Sequence, residues 1–241
     1  MAGNHSAQTV RQVASLLEGF NLKALASTRS VVRLPEEARV REVFVEHNDA
    51  VLLRYIQGDS TSIKERALIS LLANITSSAF YNELRTEKQL GYVVAAFPMH
   101  INRVPGMSFI VQSPVASEDQ LQEEFENFSQ HFDRSIQDLT EDGLSVHKRA
   151  LLVNLEDEPE NLNELTARSL KAMSLGYNNF DFRERLAQSI KAVNIDDIRD
   201  AYSRLILNSP RQLWLRTTEN NDVKQGVNFD DPVNELYKFS N

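Results

Sequence analysis

The 241-residue chain contains no cysteine. This absence excludes disulfide bonds, zinc sites built from thiolates and a thiol nucleophile. Long apolar runs are also absent, because no stretch approaches the roughly 18 to 20 residues that cross a bilayer. The first residues lack the basic and apolar segments of a secretory signal peptide. We therefore expect no membrane partner.

Basic residues are in deficit, with 26 Lys and Arg against 34 Asp and Glu and a net charge of −8. Binding to nucleic-acid phosphates needs clustered Lys and Arg, so the composition argues against a nucleic-acid partner. A hydrophobic fraction of 41% and a charged fraction of 25% are typical of a globular domain. The acidity is explained most simply by solubility.

Several common catalytic motifs are absent. No two histidines lie three to five residues apart and none belongs to a His-x-x-Glu-His run, so the local sequence predicts no zinc site. The histidines are His5, His47, His100, His131 and His147. The eight glycines are scattered and form no phosphate-binding loop, and the Gly-x-Ser-x-Gly elbow does not occur. The sequence therefore predicts no metal or cofactor in this chain.

The beginning of the chain predicts a helix and a linker. Residues 4–20 carry apolar side chains at helical spacing, with Asn4 as the cap. Residues 21–39 contain turn-forming residues and read as a linker. No strand precedes the helix to cover its apolar face, so we expect its partner to lie outside this chain.

Alternating apolar residues predict strands on both sides of a long helix. Residues 40–57 are predicted to form an antiparallel hairpin. The spacing of Ser62 and Glu65 is that of a capping box, which starts the helix. Two further strands are predicted at residues 92–97 and 107–112.

The second half of the chain is mainly helical. Ser117 and Gln120 form another capping box, residues 140–207 are helical with breaks, and residues 211–216 alternate as a closing strand. This order of elements predicts an α+β fold, in which a mostly antiparallel β-sheet is covered by helices on one side.

One junction between helix and strand combines a cation with a phenol. Arg85 lies near the end of the long helix and Tyr92 begins the next strand, with Gly91 between them. Taken singly, Arg85 is typical of a helix C-terminus and Tyr92 of a strand. Together they offer a fork of donors that stays protonated and one hydroxyl donor. Such donors could grip the carbonyl oxygens of an extended peptide, or stabilise charge that develops on one of them.

The runs LRTEKQLGYVV and FPMHINRVPGMSFIVQS, at residues 84–94 and 97–113, carry a resemblance to a known family. They resemble the last, fourth domain of the insulinase, or pitrilysin, family of zinc metallopeptidases, and most closely its bacterial pitrilysin (protease III) branch. By this resemblance, residues 40–217 form the insulinase-like C-terminal α+β domain. Residues 1–39 would be the terminal helix and linker of the preceding domain, and residues 218–241 a polar, loosely held tail.

The resemblance implies a function that this chain performs only together with other domains. Full-length members enclose a chamber, and their first domain binds zinc through an inverted His-x-x-Glu-His motif that this chain lacks. Arg85 and Tyr92 match the family's substrate-contacting arginine and tyrosine. Arg85 would position the peptide, and Tyr92 would donate a hydrogen bond in the transition state. The chain alone is expected to be inactive, and its expected partners are a peptide substrate and the sister domains.

The resemblance also bears on location and on an alternative function. The bacterial branch implies the periplasm, with the cytoplasm as the alternative. A surface that normally contacts sister domains would be left bare in this chain, which would favour dimerisation. Relatives of the fold serve as inactive partner subunits, as in mitochondrial processing peptidase and the core proteins of respiratory complexes. A non-catalytic structural domain is therefore the alternative function, although the presence of both Arg85 and Tyr92 argues against it.

Overall fold

The computed structural model describes residues 6–20, 29–175, 177, 179–218 and 236–239. The strands in these residues are β1 Arg29–Val32, β2 Arg39–Phe44, β3 Ala50–Gln57, β4 Val93–Pro98, β5 Gly106–Ser113, β6 Gln212–Thr218 and β7 Leu236–Phe239. The α-helices are α1 Ala7–Gly19, α2 Ile63–Tyr81, α3 Glu118–Gln137, α4 Glu141–Glu156, α5 Leu162–Ser174, α6 Phe182–Ala192 and α7 Ile195–Tyr202. Two π-helical segments, Asn82–Glu87 and Ser203–Leu207, continue α2 and α7.

The main sheet has five strands in the order β2-β6-β3-β5-β4. Only β2 and β6 run parallel, and the other three pairings are antiparallel. The α+β fold with a mostly antiparallel sheet, predicted from the sequence, is therefore confirmed. Among the described helices, none is long and apolar enough to span a membrane.

The predicted hairpin at residues 40–57 is wrong. Its two strands form, but β6 lies between them: Trp214 is opposite Val40 on one side and Arg54 on the other. Neighbouring strands are about 4.8 Å apart, so β2 and β3 are separated by the width of one inserted strand. Alternation and turn residues identify two strands, but they do not reveal that a strand from the far end of the sequence will enter between them.

The hydrophobic core lies between one face of the sheet and the helices. Phe80 of α2 is fully buried, and its ring contacts Phe109, Phe125 and Phe128 edge-on, with ring centroids 5.1 to 5.2 Å apart. Trp214 of β6 is also buried, next to Phe125. Phe125 and Phe128 of α3 are thus part of the core, and insertion of β6 adds an indole to it.

The predicted capping boxes are confirmed in one of two cases. In α3, Gln120 N donates to Ser117 Oγ at 3.3 Å and Ser117 N donates to Gln120 Oε1 at 2.9 Å. In α2, Glu65 N donates to Ser62 Oγ at 3.1 Å, but Glu65 does not return the bond. Its carboxylate instead accepts from Asp59 N at 3.0 Å, because it belongs to an ion-pair network.

That network joins α2, the π-helical segment after α7 and the residues that flank β3 and β6, through charges that the sequence did not single out. Both guanidinium NH2 groups of Arg204 donate to Glu65 at 2.9 Å, and Arg204 also pairs with Asp59. Arg211 Nη1 donates to Asp59 at 3.0 Å. Because Glu65 and Arg211 are buried, the pairing compensates charges that would otherwise be costly to desolvate.

The two ends of the chain differ from the expectation of a plain helix, linker and tail. Helix α1 begins after Ser6, whose Oγ accepts from Thr9 N at 3.2 Å, while the predicted cap Asn4 lies outside the described residues. β1 pairs antiparallel with β7, Arg29 lying opposite Phe239. Two paired strands thus lie where the sequence predicted a linker and a loosely held tail, while the division of the chain into domains stays a prediction.

Replacing Phe80 with alanine should lower the free energy of unfolding by about 3 to 5 kcal/mol, because the cavity would open at the centre of the aromatic core. Phe180→Ala is the control, since the Phe180 ring is 53% exposed. The control should change stability by no more than about 0.5 kcal/mol. Chemical denaturation followed by circular dichroism measures both. Similar losses for the two variants would contradict this description of the core.

Candidate functional site

The end of α2 changes its helical geometry at the residues singled out in the sequence. The π-helical segment Asn82–Glu87 contains Arg85, and its neighbour Leu84 is fully buried. Lys88 N donates to Glu83 O at 2.9 Å across the wider turn. The structure therefore continues α2 through Arg85 in π-helical geometry. Such segments are frequent at functional sites.

Arg85 bridges the end of this helix to the start of the next strand. Its Nη1 donates to the carbonyl oxygen of Gly91 at 2.5 Å. The side chain is half-buried, and this bond uses one of the five N–H donors of a guanidinium. Arg85 therefore holds the backbone immediately before Tyr92.

The backbone of Gly91 packs closely against the sheet. A Cβ added at this residue would lie 2.1 Å from the carbonyl oxygen of Gln112 in β5. No side chain can occupy that space, because real Cβ atoms do not approach so closely. Glycine is therefore required for the chain to turn from the π-helix onto the sheet at this point.

Tyr92 lies just before β4, one residue outside the strand that was predicted to begin with it. Its side chain is exposed at the surface, and its hydroxyl donates to Asp49 Oδ2. Gln112 Nε2 donates to Asp49 Oδ2 at 2.9 Å and to Tyr92 Oη at 3.0 Å. The three side chains form a hydrogen-bonded triangle at the edge of the sheet.

Arg85 and Tyr92 occupy the same junction but do not bond to each other in the part of the chain that the structure describes. Arg85 holds the carbonyl of Gly91, and Tyr92 is the next residue. The structure therefore couples the two predicted residues through the backbone, while each side chain has its own partner within the chain.

Sequence reasoning missed Asp49 and Gln112. Asp49 falls inside the predicted hairpin at residues 40–57, and Gln112 is the last residue of the predicted strand 107–112; neither was singled out. In the sheet, Gln112 lies opposite Val93 in β4 and opposite Val51 in β3. Pairing the two predicted strands in register would have placed Gln112 beside Tyr92. Finding Asp49 would also have required the pairing of β3 with β5, which the sequence did not specify.

The pKa values of the two titratable groups in the triangle are shifted in opposite directions. The hydrogen bond to Asp49 raises the pKa of the Tyr92 phenol above its usual value, and burial and the carboxylate charge act in the same direction. The bonds from Tyr92 and then from Gln112 lower the pKa of Asp49, with His47 as a weaker contributor. Near neutral pH the phenol is therefore protonated and the carboxylate is ionised.

The histidines do not form a metal site in the described parts of the chain. No group of three or more His, Asp or Glu side chains there could hold a metal ion. His100 Nδ1 accepts from Gly106 N at 3.3 Å, and burial, followed by the charge of Arg66, lowers the pKa of His100 to about 3. His147 bonds to Asn74 at 2.8 Å. These two imidazoles have structural partners.

Replacing Gly91 with alanine should lower the free energy of unfolding by about 1 to 3 kcal/mol, the cost of forcing extra atoms into a packed site. Gly19→Ala is the matched control, because nothing lies within 4 Å of a Cβ added there. At the end of α1, alanine should leave stability unchanged or raise it by up to about 1 kcal/mol. Equal effects in denaturant titrations would refute the close approach at Gly91.

Comparison with known proteins finds relatives of this chain. Residues 71–170, which include Arg85 and Tyr92, match the family model "PQQ synthase PqqF-like, C-terminal lobe domain 4". Insulin-degrading enzyme from Homo sapiens is 30% identical over 167 residues, which cover 69% of this chain and 16% of the relative. Protease 3 from Escherichia coli is 30% identical over 141 residues, covering 58% and 15%.

Solved structures give the same result for the fold. The crystal structure of pitrilysin matches 99% of this chain with a TM-score of 0.78 and 22% sequence identity, over 27% of its own length. The part of this chain that matches insulin-degrading enzyme or protease 3 spans about one sixth of the length of those relatives. It is homologous to insulin-degrading enzyme and protease 3, and the relationship to the C-terminal part of insulinase-family (pitrilysin-family) peptidases predicted from its sequence is confirmed.

Proposed function

We propose that this chain is a substrate-gripping, chamber-forming domain of a peptidase, in which Arg85 and Tyr92 contact an extended peptide near the bond that is cleaved. One observation carries the proposal: the Tyr92 hydroxyl is held by Gln112 at the surface, beside a backbone that Arg85 fixes. The homologues are peptidases, so peptide-bond hydrolysis is the reaction in which such donors would act.

Tyr92 would act as a hydrogen-bond donor to the carbonyl oxygen of the peptide. Negative charge develops on this oxygen when the carbonyl carbon is attacked during hydrolysis. A donor aimed at the developing charge stabilises the transition state more than the ground state. Because its pKa is raised, the phenol remains protonated and able to donate at neutral and mildly alkaline pH.

Arg85 would act as a positioning residue for the peptide backbone. Its bond to Gly91 fixes the guanidinium plane at the junction. A guanidinium presents its remaining donors in a rigid fork that suits carbonyl oxygens, and it stays charged at any physiological pH. Orientation of a peptide against the reacting groups supplies a large part of the rate of many enzymes.

Zinc is the metal that the family implies, and the described residues do not fit a zinc site. We propose that the metal, which would supply an activated water in the full-length enzyme, is bound by a sister domain. The sister domains and the peptide are then the partners of this chain, and a surface that normally contacts a sister domain would allow dimerisation. We propose the periplasm as the compartment, as the resemblance to the bacterial branch implies.

A non-catalytic structural role is the second candidate, and one observation favours it. The hydroxyl of Tyr92 and one donor of Arg85 are already bonded inside the chain. Both side chains could therefore be kept only because they stabilise the junction. Activity measurements on variants separate the two roles.

In the complete peptidase, Tyr92→Phe should lower the rate of peptide cleavage by roughly 100- to 1,000-fold, the usual loss when one transition-state donor is removed. Tyr81→Phe is the matched control, since Tyr81 is a similarly exposed phenol on the same segment of chain, at the end of α2. Its turnover should equal that of the unsubstituted enzyme. Full activity of the Tyr92 variant would leave the structural role as the better account.

The 241-residue chain alone should bind no zinc stoichiometrically and should cleave no peptide, because the described residues offer no ligand set. Metal analysis after gel filtration, and a fluorogenic peptide assay with added zinc, measure the two properties. One tightly held zinc ion per chain would overturn the proposal that the metal site lies on a sister domain.

A further inference from the structure

The hydroxyl of Tyr92 has one proton, and the structure shows where it goes. A phenol can donate one hydrogen bond and accept others. Tyr92 donates to Asp49 Oδ2 and accepts from Gln112 Nε2 at 3.0 Å. In this arrangement Tyr92 cannot donate to a peptide at the same time, so the bond to Asp49 must break before the hydroxyl can act as proposed above.

We propose that Asp49 is a latch on Tyr92: an acceptor within the chain that competes with the peptide carbonyl for the hydroxyl proton. The inference rests on the proposed function of Tyr92 and adds a residue that regulates it. A peptide that enters without presenting a carbonyl at this position leaves the latch closed. When a bound peptide places a carbonyl oxygen at this position and negative charge develops on that oxygen, Tyr92 exchanges Asp49 for the peptide as its acceptor.

The order of acceptor strength gives the latch its direction. Hydrogen bonds to a carboxylate are roughly twice as strong as those to a neutral oxygen. The neutral carbonyl of a bound peptide is therefore the weaker competitor, and Tyr92 stays with Asp49. Once the carbonyl oxygen becomes an oxyanion, both acceptors are charged and the exchange no longer costs the difference between a charged and a neutral acceptor. The bond to the substrate is then made mainly in the transition state.

Gln112 allows Tyr92 to exchange acceptors without leaving the Asp49 carboxylate lacking a hydrogen-bond donor. Its amide donates to Asp49 at 2.9 Å as well as to Tyr92, so the carboxylate keeps one donor when Tyr92 leaves. The bond from Gln112 to the phenol oxygen is compatible with donation by Tyr92 to a substrate. Asp49 lies next to Ala50, which pairs with Ser113 in the sheet, so the acceptor is placed by regular structure.

The charged groups around the triangle are consistent with this reading. His47 is the other titratable group that acts on Asp49, and it favours the ionised carboxylate. The phenol has its pKa raised chiefly by Asp49. The same contact that keeps the proton on Tyr92 therefore also makes that proton unavailable to a peptide while the bond lasts.

The first test uses the 241-residue chain and titrates Tyr92 by NMR of 13C-labelled tyrosine, with the signal assigned by Tyr92→Phe. Asp49→Asn keeps the shape of the side chain and its bond from Gln112 but removes the charge. The pKa of Tyr92 should fall toward its ordinary value in this variant, because the hydrogen bond to the carboxylate becomes a weaker bond to a neutral amide and the carboxylate charge is gone. An unchanged pKa would overturn the latch.

The second test measures kcat/KM for peptide cleavage in the complete peptidase. Asp49→Asn should raise kcat/KM by about 5-fold, the ratio between breaking a hydrogen bond to a charged acceptor and one to a neutral amide. Asp49→Ser, whose side chain is too short to hold the phenol, should also raise it. In the Tyr92→Phe background, Asp49→Asn should have no effect, which excludes a general effect of the lost charge.

The outcomes separate this inference from the proposed function. If Tyr92→Phe abolishes cleavage while Asp49→Asn leaves kcat/KM unchanged or lowers it, Asp49 is not a latch and the role of Tyr92 stands. If Tyr92→Phe has no effect, the proposed function fails and the latch fails with it. A rise in kcat/KM that persists in the Tyr92→Phe background also overturns the latch, because Asp49 would then act independently of Tyr92.

Discussion

No side chain fits between the backbones of Gly91 and Gln112, and this close approach organises the end of the molecule where the candidate site lies. Because residue 91 has no Cβ, the chain leaving the π-helix can settle on β5 and begin β4 two residues later. The carbonyl of Gly91 then accepts from Arg85, and Tyr92 comes to lie beside Gln112. The geometry of the site is therefore a consequence of how α2 is joined to the sheet.

The core holds this junction from the other side. Phe80 lies at the centre of the aromatic cluster, and Leu84, one turn later, is also fully buried. These two anchors fix the end of α2 against the sheet. The π-helical turn accommodates an additional residue there, so that Arg85 can face Gly91 while Leu84 stays in the core. Packing and polar contacts thus specify the same backbone path.

Local signals predicted the parts of this structure that local physics determines. The capping box at Ser117 depends on residues within one helical turn, and it forms as expected. Insertion of β6 between β2 and β3 depends on a strand from the far end of the sequence, and no periodicity reports it. The same limit explains the site. Arg85 and Tyr92 were visible because they flank Gly91, whereas Asp49 joins them only through the register of three strands.

The energetics of the junction separate Arg85 from Tyr92. The bond from Arg85 to Gly91 is half-buried and closes a turn of the backbone, so a stabilising role accounts for it. The bond between Tyr92 and Asp49 lies at the exposed edge of the sheet, where polar contacts contribute little to stability because water competes for both partners. Stability alone is therefore a weak reason for a phenol at this position. A hydroxyl kept protonated and within reach of solvent is better explained by an acceptor that arrives from outside the chain, which favours the peptide-contacting role for Tyr92.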